Sequence, residues 1–295
     1  MISDRVSVTL FFQRVRLWLA NAGWHVVCLP VAATCVFPLV WMLSSSVKTQ
    51  QTVFTDFRLI PTPLHLENYA RAWTQGRFGI YFLNSLGYTF VVVAGVVALA
   101  AFAAYAFSRF TFRGSGLLYK LILSTMLIPV PGAFGALYIL LNVLGLVDRG
   151  TSEWLPRIGY VLPQINGGLP FAIFILKPFF DEIPKELEES AKVDGCGVLG
   201  VFWHIMLPLA RPALGVVALL TSLAAWNEFL LGYIVFSRHE LMPLQRGLIE
   251  FHGARLTEYP LLMAGMVIAI VPIVAVYLLM QRNIIRGITA GAIKG

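Results

Sequence analysis

Apolar residues in this chain do not alternate with polar ones. They collect into long runs, and the charged residues gather between them. Six runs are long enough to read as membrane-crossing helices, which need about 20 apolar residues each: Val26–Leu43, Leu83–Phe107, Leu117–Leu144, about Ile158–Phe180, about Pro212–Phe236 and Leu261–Met280. The third is interrupted by Pro129, Pro131 and Gly132, and the fourth by Gly167, Gly168 and Pro170. Such breaks are tolerated in a bilayer where neighbours or a cavity satisfy the freed backbone groups, so unwound backbone beside a central cavity is expected there, with a simple packing kink as the alternative. A count of five spans, the fourth being re-entrant, is the competing topology. Between spans one and two, Leu66–Trp73 has the pattern of a short amphipathic helix, approached through Pro61 and Pro63.

Composition agrees with this pattern. The 295 residues are 58% hydrophobic and 13% charged, against about 25% charged in soluble domains, and mean hydropathy is +0.77. A net charge of +7 is explained by lysine and arginine flanking the spans, with no need for nucleic acid. With the N-terminus inside, 13 basic residues fall on the inner side and nine on the outer, and Arg109 and Arg282 stand directly at span ends. That gives an all-α integral membrane protein, N-in and C-in. Its parts are an inner segment 1–25, a transmembrane domain 26–280 and an inner tail 281–295. The first run is too long for a signal-peptide core and lacks a small-residue cleavage site, so it reads as an uncleaved span. Cys28, Cys35 and Cys196 form no disulfide or metal framework. The five histidines are scattered, which argues against a membrane-embedded metalloenzyme.

One inner segment, about 181–211, is unlike its surroundings. Asp181, Glu182, Glu186, Glu188, Glu189 and Asp194 are six of the protein's 15 acidic residues. Pro184 suits a first helical turn, with Asp181 and Glu182 at its positive end. Ile183, Leu187 and Ala191 form one stripe, and Glu188–Lys192 is a favourable i,i+4 pair. Gly195 stops the helix. A second helical face follows in Val198, Val201, Phe202 and Ile205, before Pro208 and Pro212. Helix, glycine corner and helix make a compact knob, read either as a solvated re-entry loop or as a docking element.

The run Glu189-Ser190-Ala191-Lys192-Val193-Asp194-Gly195-Cys196, followed by Phe202, Ile205, Leu207, Pro208 and Pro212, resembles the EAA motif of permease subunits in binding-protein-dependent ABC importers. Ser190 and Cys196 stand where that motif has alanine. WNEFLL at 226–231 and the terminal TAGAIKG are similar to the maltose-type members of that family, and the likeness runs from span two to the end. The resemblance implies that the loop is a coupling helix seated in a cleft of an ATP-binding subunit. Glu189 would make the ionic contact, and Gly195 would set the corner. Ala191, Asp194, Ile205, Leu207 and Pro208 would complete the motif, with Phe202 filling the cleft. The tail, through Gly291 and Lys294, would reach the ATPase dimer.

The resemblance further implies a second permease subunit, two ATP-binding subunits carrying ATP and Mg, and an extracytoplasmic substrate-binding protein. It implies a carbohydrate, polyol or glycerol phosphate as substrate, and the bacterial cytoplasmic (inner) membrane as the location. No cofactor or metal is expected on this chain, which has no phosphate-binding G-x-x-x-x-G-K-[ST] loop. A stand-alone secondary carrier is the alternative, but it would show paired intramembrane charges and internal repeats.

Polar groups within spans are candidate functional residues. Asn84, Tyr88, Tyr138, Asn166, Trp226, Asn227 and Glu228 are the candidate substrate path, with Ser85, Tyr105, Asn142 and Gln164 nearby in the pattern. The same groups also serve as interhelical hydrogen-bond glue.

Overall fold

The computed structural model describes residues 2–74, 76–128, 130–251 and 257–292, with side chains described within 24–279 apart from 75, 129–131 and 252–256. Pro129 and Lys294 lie outside the described residues. Thirteen α-helices are described: α1 Ile2–Ser46, α2 Glu67–Thr74, α3 Phe78–Arg109, α4 Ser115–Ser124, α5 Val130–Val143, α6 Trp154–Glu182, α7 Lys185–Val193, α8 Val198–Val201, α9 Leu207–Leu209, α10 Arg211–Trp226, α11 Leu230–Val235, α12 Leu244–Gly247 and α13 Tyr259–Ala292. A π-helical turn, Phe202–Met206, joins α8 to α9.

Four helical stretches are long and apolar enough to cross a membrane: Trp24–Ser46, Phe78–Arg109, Trp154–Glu182 and Tyr259–Leu279; two bent pairs bring the number to as many as six. In the first pair, Ser115–Leu127 and Gly132–Val143 meet at 107°. Ile128 is extended where the first segment ends, the conformation a following proline imposes. In the second pair, Val198–Leu209 turns by 76° into α10.

α3 is the spine. Toward the end that carries α2, its Phe78, Tyr81 and Tyr88 pack with Tyr160, Trp226, Phe236 and Leu244. Toward the end that carries α7, its Val96, Ala100, Ala104 and Tyr105 pack with Leu176, Phe180, Phe202 and Met206. Small residues on this face of α3 admit close approach by α6 and α10, and the close packing gives each helix a single seat.

Three expectations need correction. α6 is continuous from Trp154 to Glu182 with Pro163, Pro170 and Pro178 inside it, so there is no unwound segment at Gly167–Pro170 and no re-entrant fourth span. The glycines serve packing instead: a Cβ on Gly168 would stand 2.9 Å from Val96 Cγ2. The fifth run, by contrast, is broken where its apolar pattern predicts one helix. α10 ends at Trp226 and α11 begins at Leu230. Asn227 Nδ2 donates to Leu223 O at 2.8 Å, and Glu228 accepts the backbone N–H groups of Leu231 and Gly232. Both side chains occupy partners that a continuous helix would have used. Finally, Asp181 and Glu182 close α6 rather than opening α7, and Asp181 pairs with Lys177 at 2.7 Å.

The helix at Leu66–Trp73 is present as Glu67–Thr74 and is anchored, not free on the surface. Its buried Asn68 donates from Nδ2 to Ser46 O and Lys48 O, both at 2.9 Å, and so ties α2 to the end of α1.

The tightest backbone approach is on α6. A Cβ on Gly159 would lie 2.2 Å from Leu146 O, whereas one on Gly167 meets nothing within 4 Å. Gly159→Ala is therefore expected to cost about 1–3 kcal/mol through overpacking. Gly167→Ala is expected to be neutral or stabilising by up to about 1 kcal/mol through helix propensity. Thermal unfolding of the two purified variants checks the pair, and equal midpoints would contradict the packing.

Candidate functional site

The loop between α6 and α10 folds as two helices around a corner. α7 ends in a Schellman arrangement: Cys196 N donates to Ala191 O at 2.8 Å and Gly195 N to Lys192 O at 3.0 Å. Gly195 sits at φ 88°, which glycine adopts without strain, and Asp194 is the exposed residue just before it. Glu186 and Glu188 now supply the negative charge in the first turn of α7.

Glu188 departs from its expected partner. It forms an ion pair with Arg109 at the end of α3, not with Lys192, and both side chains are almost fully buried, at 7% and 6% exposure. Arg109 also donates from Nη2 to Ile183 O at 2.7 Å. One guanidinium thus holds both the start of the loop and the first turn of α7. Ala191 is buried beside this contact, while Leu187, placed on the same stripe by its spacing, is exposed.

Phe202 also departs from expectation. It is 1% exposed, stacked on Phe102 at 4.6 Å and tilted against Tyr105 at 5.2 Å. A ring enclosed by its own α3 is not available to fill a partner's cleft. Ile205 and Leu207 are partly buried against the same core, and Pro208 is half-buried at the π–α9 junction. What the loop offers outward is Glu189, Leu187, Leu199 and Val193, the last at 87% exposure. Glu189 forms no ion pair among the described residues.

The second feature is a cavity of about 550 Å³ between α5, α6 and α10. Phe134, Gln164, Phe171, Thr221 and Glu228 line it, with Gly167 and Gly168 leaving its α6 wall flat. Gln164 donates to Tyr160 O at 2.9 Å. Glu228 accepts from Leu231 N at 2.8 Å and Gly232 N at 3.1 Å. A mostly apolar hollow with a few fixed polar groups is the ordinary form of a small-molecule site.

The candidate path residues therefore separate. Glu228 reaches this cavity. Asn84 and Tyr88 line a different groove, shared by α3 and α6, and are committed to structure: Asn84 donates to Glu240 O and Met242 O, and Tyr88 to Leu241 O. Trp226 is buried and donates to Ala269 O at 3.0 Å. Tyr138, Asn166 and Asn227 are exposed and are not among the residues lining the α5–α6–α10 cavity. Thr221, Phe134 and Phe171 were not singled out from the pattern, since a threonine or phenylalanine within an apolar run carries no distinguishing signal.

Residues 97–290 match the family described as "Binding-protein-dependent transport system inner membrane component". The chain is 36% identical over 259 residues to the probable ABC transporter permease protein YurM of Bacillus subtilis (strain 168), covering 88% of this chain and 84% of that protein. It is 33% identical over 274 residues to the trehalose transport system permease protein SugB of Mycobacterium tuberculosis (strain CDC 1551 / Oshkosh), covering 92% and 97%. Among solved structures it is similar to a bacterial ABC transporter involved in the import of the acidic polysaccharide alginate, with a TM-score of 0.73 and 25% identity over 90% of this chain and 95% of that one. A stand-alone carrier is thereby set aside. With two thirds of its length inside one family and relatives matched nearly end to end, the chain belongs to the inner-membrane components of binding-protein-dependent transport systems, the permease subunits of ABC transporters.

Proposed function

We propose that this chain forms half of the translocation pathway of an ABC importer for a carbohydrate. A second permease subunit supplies the other half. Two separate ATP-binding subunits supply energy from ATP and Mg, and an extracytoplasmic binding protein delivers the substrate. The chain lies in the bacterial inner membrane, N-in and C-in, with the loop at 181–211 on the cytoplasmic side and the segments 1–25 and 281–295 flanking a transmembrane domain. The α13 end at Gly291 contacts the ATPase pair. The relatives' names favour saccharides, and one similar solved transporter imports an acidic polysaccharide, so relatedness leaves the substrate's charge open.

The observation that carries the coupling role is the buried Arg109–Glu188 pair. It fixes α7 to the tip of α3, the helix that runs through both cores, while Glu189 on the next position is exposed. A displacement imposed on Glu189, Leu187 and Val193 by an ATPase subunit is passed to α3 through the ion pair, and through Phe202 held between Phe102 and Tyr105. Gly195 and the 76° turn into α10 pass it to the cavity wall.

Glu189→Lys tests this. A charge reversal at an exposed position should leave folding within about 0.5 kcal/mol, yet lower ATPase co-purification and transport by about tenfold or more. Full retention of both in the purified complex would remove the docking role from Glu189.

A further inference from the structure

The cavity between α5, α6 and α10 contains one charged side chain among the described residues that line it, the carboxylate of Glu228. Its other polar groups, the Gln164 amide and the Thr221 hydroxyl, are neutral, and Phe134 and Phe171 present apolar faces. Both Glu228 oxygens accept from backbone N–H groups, at 2.8 and 3.1 Å, and such bonds favour the charged form of a carboxyl. Among the described residues, these basic side chains of the adjoining loops are engaged elsewhere. Arg149 donates to Asn142, Arg238 pairs with Asp148, Arg246 pairs with Glu250 and lies over Tyr233, and Arg157 lies over Trp154 near Glu153. No described lining residue offsets the charge.

We infer that Glu228 is a charge filter: the pathway built by this chain accepts an uncharged saccharide and rejects an anionic one. This rests on the carbohydrate reading above and narrows it. Sites that take anions present cations, often as bidentate arginine; here the geometry is inverted. A substrate carboxylate within several ångströms of Glu228 in a partly dehydrated cavity meets a repulsion that lowers its passage by about tenfold or more. The phenylalanine faces suit the C–H surface of a neutral sugar ring, with Gln164 and Thr221 as hydroxyl partners.

The test uses proteoliposomes holding the whole importer and its binding protein. They are offered a neutral oligosaccharide which that protein delivers, and the same oligosaccharide oxidised to its aldonic acid. Uptake of both is measured in wild type, Glu228→Gln and Gln164→Lys. The binding protein is the same in every arm, so a change in the acid-to-neutral ratio belongs to the permease. The expected wild-type ratio is about one tenth or lower, rising about tenfold in Glu228→Gln. Gln164→Lys should raise it too while keeping the Glu228 cap on α11, which covers the case in which Glu228→Gln misfolds. A wild-type ratio near one, or a ratio unmoved by both variants, overturns the inference and leaves the carbohydrate reading standing. If neither sugar enters while ATP hydrolysis still responds to the binding protein, the carbohydrate reading falls and takes this inference with it.

Discussion

Replacing Glu188 by alanine should release the coupling loop from α3 and abolish transport while the membrane-spanning bundle survives. The Arg109–Glu188 pair is buried on both sides, and removing one member of such a pair leaves an uncompensated buried charge, at a cost of about 3–5 kcal/mol. Arg109→Ala should cost a similar amount, because it also strips Ile183 O of its donor. The double variant should be less destabilised than the two singles added together, since neither charge is then left alone. Glu188→Gln should fall between, keeping an acceptor for Arg109 but no charge. Three measurements separate this from a docking defect. Thermal unfolding of the purified chain should fall with Glu188→Ala and hold with Glu189→Lys. Limited proteolysis at Lys185 and Lys192 should accelerate only in the former. ATP hydrolysis should continue without sugar import in whichever Glu188→Ala complexes still assemble. A Glu188→Ala variant with a wild-type midpoint would show that the pair is not what holds the loop.

Asp148→Ala should be the other large effect, at the opposite end of the molecule. Asp148 has a fully buried side chain and pairs with Arg238 Nε at 2.9 Å. It also accepts the backbone N–H groups of Arg238 at 2.8 Å, Gly150 at 3.2 Å and Ser237 at 3.3 Å. One carboxylate therefore joins the α5–α6 connection to the segment after α11. Alanine strips three backbone N–H groups of their acceptor together, a loss of about 3–5 kcal/mol, while the partly exposed Arg238 guanidinium keeps Ser152 O. Burial alone would raise the Asp148 pKa, but the three N–H donors and the Arg238 charge outweigh it and hold it below the ordinary carboxylate value. The sign follows: a carboxyl with a depressed folded pKa contributes stability above the unfolded value, near pH 3.9, and that contribution is lost as pH falls through the lower folded value. Wild type should therefore show no Asp148-dependent change from neutrality down to about pH 4 and a steep loss below it. Asp148→Asn should be less stable at pH 7 and converge on wild type in strong acid. Unfolding midpoints across pH 3–7 decide this, and parallel curves would contradict it.

The two predictions concern residues whose importance was invisible in different ways. Glu188 has a basic partner at i+4, Lys192, and one 79 positions away, Arg109; local spacing proposes the first. The fold selects the second because Arg109 meets it away from water, where charge attraction and a shared carbonyl contact are worth more than an exposed pair. Phe202 was correctly placed on an apolar helix face, but spacing cannot say whether that face meets a partner or the chain's own α3. Gly167–Pro170 carries the residues of a break and yet lies in continuous helix, because proline removes a hydrogen bond without dictating that neighbours let the helix part. Asn227–Glu228 lies in an apolar run with no proline or glycine there to mark a break and nevertheless ends α10, since two side chains capture backbone groups.

The sequence by itself determined the apolar runs, the positions of α2 and α7, the glycine corner at 195 and the kinship of the loop. These depend on neighbours within one or two helical turns, and such neighbours are present in the chain before it folds. The tertiary structure alone decided which carboxylate tethers and which is offered, that the α6 prolines do not break it, and that Gln164, Thr221 and Glu228 share one cavity. Those choices turn on burial, and burial exists only once distant segments have excluded water from between them.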